Sequence, residues 1–252
     1  MKEKTKTKMW SYKIVHDTLF APNPLWGVLT LATCKPTIRR SPNSIKGTWI
    51  AGWTACTTHN LEVYGGGIDR CDPGQEKLIY LAKIDEQIPL DEYWKRFPEK
   101  RNNPNVTVFD ARWSGDNIYH KDNTDAEGNV IAEPNTCDHE GAEVAKRDYL
   151  YGKNALICNE FYYFTRENRL DVPEYFRSLV HKAKGQSLLK NEPLIDEFIE
   201  FVRESANKLG VENGIVGKIP VNYPDISVST DTLSGKLSDN PQVKVKKKGC
   251  AK

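Results

Sequence analysis

The 252-residue chain has no Cys-x-x-Cys pair, almost no net charge, and no run near the roughly 20 apolar residues that a membrane span needs. Each absence removes a class of function. The six cysteines, Cys34, Cys56, Cys71, Cys137, Cys158 and Cys250, are scattered singly, without the spacing of structural zinc sites. Cys71 with Cys137 and His139 is the one metal set left open; otherwise neither a metal nor a cofactor is expected. With 36 basic and 34 acidic side chains, bulk charge does not mark a nucleic-acid binder, so any phosphate-binding surface must come from local clustering. No G-x-S-x-G, H-E-x-x-H or H-x-E with P-C-x-x-C occurs, which withdraws support from hydrolase-elbow, zincin and zinc-deaminase chemistry. The opening "MKEKTKTKMW" lacks a signal-peptide core, so a cytoplasmic protein with reduced thiols is expected. Apolar residues make up only 38% and mean hydropathy is −0.61, so much of the chain is surface, loop or tail.

The remaining pattern predicts an α+β fold on a mixed or mostly antiparallel sheet, because the regular βαβ alternation of a doubly wound fold is missing. Strands are expected over 10–17, in "WGVLTLAT" and in "GTWIAGWTA". A central strand is expected over 76–88, and another over 154–165 running into an aromatic turn. "KPTIRRSP" and "PLDEYWKRF" read as short helices, and residues 172–186 and 191–210 as longer ones. In the last, Asn191 is the expected N-cap and Gly210 the stop, with Leu194, Ile195, Phe198, Val202 and Leu209 as an apolar stripe. Residues 98–150 read as a long loop or insertion folded over the core. The expected organisation is a disordered 1–9, a main domain over 10–186, a packed helix over 187–212 and a flexible basic tail over 213–252.

Three stretches carry candidate chemistry. In "LATCKPTIRRSPNSIKGTWIAGWTA" (31–55), Lys35 and Arg39 share one face of a short helix beside Arg40, a pattern suited to phosphate oxygens. Trp49 and Trp53 point to one side of a strand, either as a stacking platform for a base or as ordinary core beside a solvated basic edge. Cys34, just before the helix, is either a thiolate favoured by the helix dipole and Lys35 or a small buried hydrophobe. In "WSGDNIYHKDN" (113–123), Asp116, Asn117, Tyr119 and His120 offer an acid/base pair, base-edge readers, or only a surface turn. "GGGIDRCDPG" (65–74) lacks the Lys-Ser/Thr of a phosphate loop and reads as a hairpin turn.

"DTLFAPNPLWGVLTLATCKPTIRR", "GTWIAGW", "KLIYLAKIDEQIPLDEYW", "GDNIYH" and "LICNEFYYF" follow one another in the order found in the nucleotide modification associated domain 2 family, which the chain resembles over roughly 10–185. That family occurs in phages and bacteria beside enzymes that hypermodify DNA bases. The element "LIYLAKIDEQIPLDEYW" also resembles a step of PUA-like domains of the ASCH and EVE type, which hold a base in the aromatic pocket of a small barrel. Thr48 stands where those domains often carry an acidic residue, so a role tied to that carboxylate does not transfer. The resemblance implies a PUA-like sheet or partial barrel that binds a nucleotide or modified base, in DNA more than RNA, within a DNA-modification or phage-defence system. In that picture Trp49 and Tyr80 stack, Lys35, Arg39 and Arg40 meet phosphate, and Asp116, Asn117, Tyr119 and His120 contact the base edge. Two alternatives stay open. One is a modifying enzyme using Asp17 or Asp116 with His120, and Cys34 as nucleophile. The other is an interaction module for a modification enzyme.

Overall fold

The computed structural model describes residues 6–55, 74–137, 139–182, 185–219 and 221. Cys56, Cys71, Cys250, most of the glycine-rich stretch and the basic tail lie outside the described residues, as does any zinc set that uses Cys71.

The fold is α+β, with two open sheets and no closed barrel among the described residues. The larger sheet is built on β1 (Met9–Ile14), which runs parallel to β3 (Trp49–Thr54) and antiparallel to β9 (Gln186–Leu189). β3 then pairs antiparallel with β4 (Lys77–Lys83), β4 with β7 (Glu160–Phe164) and, at its start, β8 (Leu170–Asp171), and β7 parallel with β10 (Gly214–Val216). The smaller sheet has β6 (Asn154–Cys158) at its centre, flanked antiparallel by β2 (Leu29–Leu31) and β5 (Glu86–Pro89). Two continuous apolar runs each supply a strand to both sheets. The run 76–88 breaks into β4 and β5 at Ile84–Asp85, and 154–165 breaks into β6 and β7 at Asn159. The single strand expected over 76–88 and the aromatic turn expected at the end of 154–165 are corrected, because periodicity marks burial and not the sheet in which a residue is buried.

Strand alternation sorts the core into layers. Trp49, Ala51 and Trp53 of β3 face α4 (Glu192–Lys208), whose Ile195, Phe198 and Val202 are buried against them. Each of those three side chains contributes roughly 1.5–3 kcal/mol by leaving water. Leu209, expected in the stripe, is 56% exposed beyond the helix end, and Asn191 makes no capping side-chain bond. The opposite face of the large sheet carries Tyr12, Ile50, Tyr80 and Tyr163, packed on Leu29, Leu31, Leu156 and Cys158 of the small sheet. Tyr80 lies over Gly52, where an added Cβ would meet the tyrosine ring. Behind the small sheet, Ala155 and Ile157 pack on Leu90 and Tyr93 of α2 (Leu90–Arg96) and on Ile118 and Tyr119. The expected helix over 172–186 is instead a 3-10 turn (Glu174–Leu179) followed by β9.

Candidate active site: a thiol beside an imidazole

Cys34 follows β2 and precedes α1 (Pro36–Arg39). Its φ is 55° and that of Lys35 is 41°, so two consecutive non-glycine residues occupy the left-handed region. Such a conformation costs on the order of 1–3 kcal/mol per residue and persists only where the surroundings hold it. The holding group is Arg39, which is fully buried. Its Nε donates to the Cys34 carbonyl at 2.7 Å, Nη1 to the Asn154 carbonyl at 2.7 Å, and Nη2 to the Asp148 carbonyl at 2.8 Å and Oδ1 at 3.2 Å. Gly152 makes this possible, since a Cβ there would collide with the guanidinium and the Asp148 carbonyl.

The Cys34 Sγ lies 3.3 Å from Nε2 of His139. The other ring nitrogen, Nδ1, is 3.0 Å from the Cys137 carbonyl, which only accepts, so the proton sits on Nδ1 and the Nε2 lone pair faces the thiol. The imidazole is buried, and its ring packs 4.8 Å from that of Phe20. Burial pushes the His139 pKa below its ordinary value, with Asp148 opposing, so the ring is neutral at pH 7 and able to take a proton.

Asp148 supplies the counter-charge. It lies on a π-helical turn (Lys146–Tyr151) that continues α3 (Ala142–Ala145). Its Oδ2 is 3.5 Å from His139 Nε2 and accepts from Arg147 Nη2 at 2.8 Å. Arg147 also brings Nη2 within 3.4 Å of His139 Nε2, and its side chain is 44% exposed. Cys34 itself is half-buried. A thiol with a neutral imidazole, a carboxylate and nearby cations has the parts of an activated nucleophile.

The ligand atoms of Cys34, His139 and Asp148 lie within 4.8 Å of one another, a spacing compatible with a metal ion. Charge argues for a different use. Arg39 and Arg147 both bond Asp148, so the centre already holds two cations against one carboxylate, and a divalent ion would add to the excess.

Of the residues singled out by sequence as nucleotide contacts or catalytic groups, Cys34 sits at this centre with its sulfur on His139, which sequence had offered only as a metal ligand. Arg39 shares the centre, but it turns inward and spends its donors on protein carbonyls and Asp148, which corrects its expected phosphate role. Lys35 lies over the Tyr12 ring at 4.5 Å and not on a common face with Arg39, while Arg40 is exposed. Burial lowers the Lys35 pKa, with Cys34 opposing. α1 is a single turn, so its dipole is a minor contribution to the thiol. Trp49 is 4% exposed under α4, whereas Tyr80 is buried on the opposite face with its hydroxyl 2.8 Å from that of Tyr12. The two do not form a joint stacking surface, because residues 49 and 80 fall on opposite sides of the pleat.

Asp116 and His120 have separate partners and do not form an acid/base pair. Asp116 is buried, accepting from Thr30 Oγ1 at 2.9 Å and Tyr93 Oη at 2.6 Å. Burial raises its pKa, and nearby Lys100 is the main opposing influence. Asn117 donates to the Phe97 carbonyl at 2.9 Å and so closes the end of α2. His120 stacks on Trp94 at 4.2 Å and bonds Glu133 at 2.7 Å. Asp17 accepts from Tyr163 at 2.6 Å and pairs with Arg169 within the core, away from His120 in its bonding. Tyr119 is buried, its ring 6.5 Å from that of Tyr149.

His139, Arg147 and Asp148 were not legible as partners of Cys34, since the Cys34–His139 contact spans 105 residues. The one available signal was that a lone cysteine nucleophile finds its histidine in space and not in sequence. No helix among the described residues is long and apolar enough to cross a membrane.

No curated protein and no solved structure matches the chain. A family model described as nucleotide modification associated domain 2 matches residues 6–215, which takes in both sheets short of Val216, the last residue of β10, with Cys34, His139 and Asp148. The chain therefore belongs to the nucleotide modification associated domain 2 family.

Proposed function

We propose that the chain is an enzyme that modifies a nucleotide or a nucleic-acid base, with Cys34 as nucleophile and His139 as the base that takes its proton. The observation that carries this reading is the 3.3 Å contact between Cys34 Sγ and a His139 Nε2 whose partner nitrogen is committed to a carbonyl. Proton transfer to Nε2 creates a thiolate–imidazolium pair, and Asp148 at 3.5 Å stabilises the imidazolium. Arg147, partly exposed and bonded to Asp148, could meet a phosphate or a developing oxyanion. The family supports the substrate class. DNA or its nucleotide precursors is the proposed substrate pool, with DNA-modification enzymes of a phage or bacterial host cytoplasm as partners.

The test is site-resolved alkylation of the full chain by iodoacetamide, with peptide mass mapping. Cys34 is expected to react faster than Cys137 and much faster than buried Cys158. His139→Ala should slow Cys34 selectively, and a nucleotide mixture or single-stranded DNA should protect it. Slow, His139-independent labelling without protection defeats the proposal. A binding protein without catalysis shows a different pattern: a nucleotide affinity that Cys34→Ser leaves unchanged, and no Cys34-dependent product.

A further inference from the structure

His139 lies between Ser114 and Ala142, where the described residues form no helix or strand, so no backbone ladder holds it in place. Side-chain amides do. Asn102 Oδ1 accepts from the Thr136 N–H at 3.2 Å, and its Nδ2 donates to the Trp113 carbonyl at 2.8 Å. Asn135 is buried, and its Oδ1 accepts from two backbone N–H groups, those of Cys137 and His139, each at 3.1 Å. Its Nδ2 donates to the Glu133 carbonyl at 3.1 Å. Two donors meet the oxygen and an acceptor meets the nitrogen, so the partners fix which way the amide points. One oxygen thus gathers Cys137 and His139, and the Cys137 carbonyl comes to lie 3.0 Å from His139 Nδ1. Nε2 has a competing acceptor, Asp148 Oδ2 at 3.5 Å. A neutral imidazole carries a single proton, and whichever nitrogen has the better acceptor keeps it. On Nε2 that proton would point at the carboxylate, and the lone pair facing the Cys34 sulfur would be gone.

We infer that Asn135 is a positioning residue of this centre: by gathering the N–H groups of Cys137 and His139 it holds the Cys137 carbonyl on Nδ1, and so selects the tautomer whose Nε2 lone pair faces Cys34. Asn135 acts through His139. When its oxygen is removed, two backbone N–H groups lose their acceptor and the loop no longer fixes the Cys137 carbonyl at Nδ1. Asp148 then draws the ring proton to Nε2, and the thiol loses the group that would take its proton. The tautomer is a property of the folded chain and does not require Cys34 to react. Its consequence for the thiol rests on the nucleophilic reading of Cys34. A carboxylate at position 135 would still accept from both N–H groups but could not donate to the Glu133 carbonyl, so the two halves of the amide can be tested apart.

The experiment records long-range proton–nitrogen correlation spectra of the histidine rings in the nitrogen-15-labelled full chain, under mildly alkaline conditions where His139 is neutral. The His139 signals are assigned by their loss in His139→Gln. The parent is expected to carry the ring proton on Nδ1. In Asn135→Leu the proton should move to Nε2. Alkylation of Cys34 by iodoacetamide should then slow on the order of tenfold, the low end of the loss seen when a partner that orients a metal-bound histidine is removed. Asn135→Asp should melt below the parent, having lost the Glu133 bond, yet keep the parent tautomer and labelling rate. A residue that only stabilised the fold would affect both variants alike. Should Asn135→Leu not fold, Asn135→Ala takes its place with the same expected result. Three results overturn the inference: a parent with its proton on Nε2, a folded Asn135→Leu or Asn135→Ala with the parent tautomer, or an Asn135→Asp that shifts it. If the tautomer follows Asn135 while Cys34 labelling is slow and indifferent to His139→Ala, the nucleophile reading falls and the positioning of His139 stands. If labelling depends on His139 but the tautomer ignores Asn135, only the positioning role falls.

Discussion

Arg39 Nε donates to the carbonyl of Cys34 at 2.7 Å, so the backbone that presents the thiol is held by a guanidinium five residues further along the chain. The same guanidinium reaches Asn154 and Asp148 and so ties the strained turn to β6 and the π-helical turn. Arg39 therefore orders the turn that presents the thiol.

Arg39→Met is expected to destabilise the protein by about 3 kcal/mol or more, the cost of removing one partner of a buried ion pair and leaving carbonyls unpaired. Arg40→Met, on an exposed side chain, should change stability by no more than about 0.5 kcal/mol. Urea unfolding of both variants measures the contrast. Similar losses would mean that Arg39 does not hold the turn.

His139 links stability to pH. Its folded pKa lies below the ordinary 6.5 because of burial, so in the window below pH 6.5 the unfolded chain binds more protons than the folded one at this residue. Its contribution is therefore fully present above pH 6.5 and is lost as pH falls through the folded pKa. His16 is lowered by burial too and acts in the same direction, so the parent alone does not isolate His139. His139→Gln should flatten the pH dependence of the melting temperature below pH 6.5 relative to the parent. Parallel profiles would show that His139 does not titrate as an isolated buried base.

Trp49 separates core packing from nucleotide contact. It is buried under α4, with Lys83 at 5.7 Å and Arg203 at 5.6 Å from its ring. Trp49→Ala should cost about 3–5 kcal/mol through loss of packing and a residual cavity. Where it stays folded, Cys34 labelling and its protection by nucleotide should match the parent, because Trp49 lies on the sheet face that α4 covers. A variant with normal stability but weakened protection would return Trp49 to the ligand site.

The residues that declare themselves in sequence are those whose role is local. The strand over "WSYKI", the one-turn helix after Pro36, the helix ending before Gly210 and the irregular stretch after Pro98 follow from alternation, proline, glycine and 3.6-residue spacing. The family is legible as well, since the ordered motifs that resemble it lie within the matched 6–215. Cys34 stands out because it adjoins lysine and proline at a turn, yet its side-chain partner is not a sequence neighbour. In space its sulfur meets His139, with Asp148 beside the imidazole, and its backbone is pinned by an arginine that local pattern assigns to solvent. Period-two alternation states that Trp49 and Tyr80 each have one buried side, but strand pairing decides that those sides face opposite layers. Sequence by itself determined the element types and the presence of a thiol at a turn, because these depend on neighbours within a few residues. Only the tertiary structure decided which side chains share a centre, because contacts across more than a hundred residues are set by sheet order and layer packing, which local pattern does not encode.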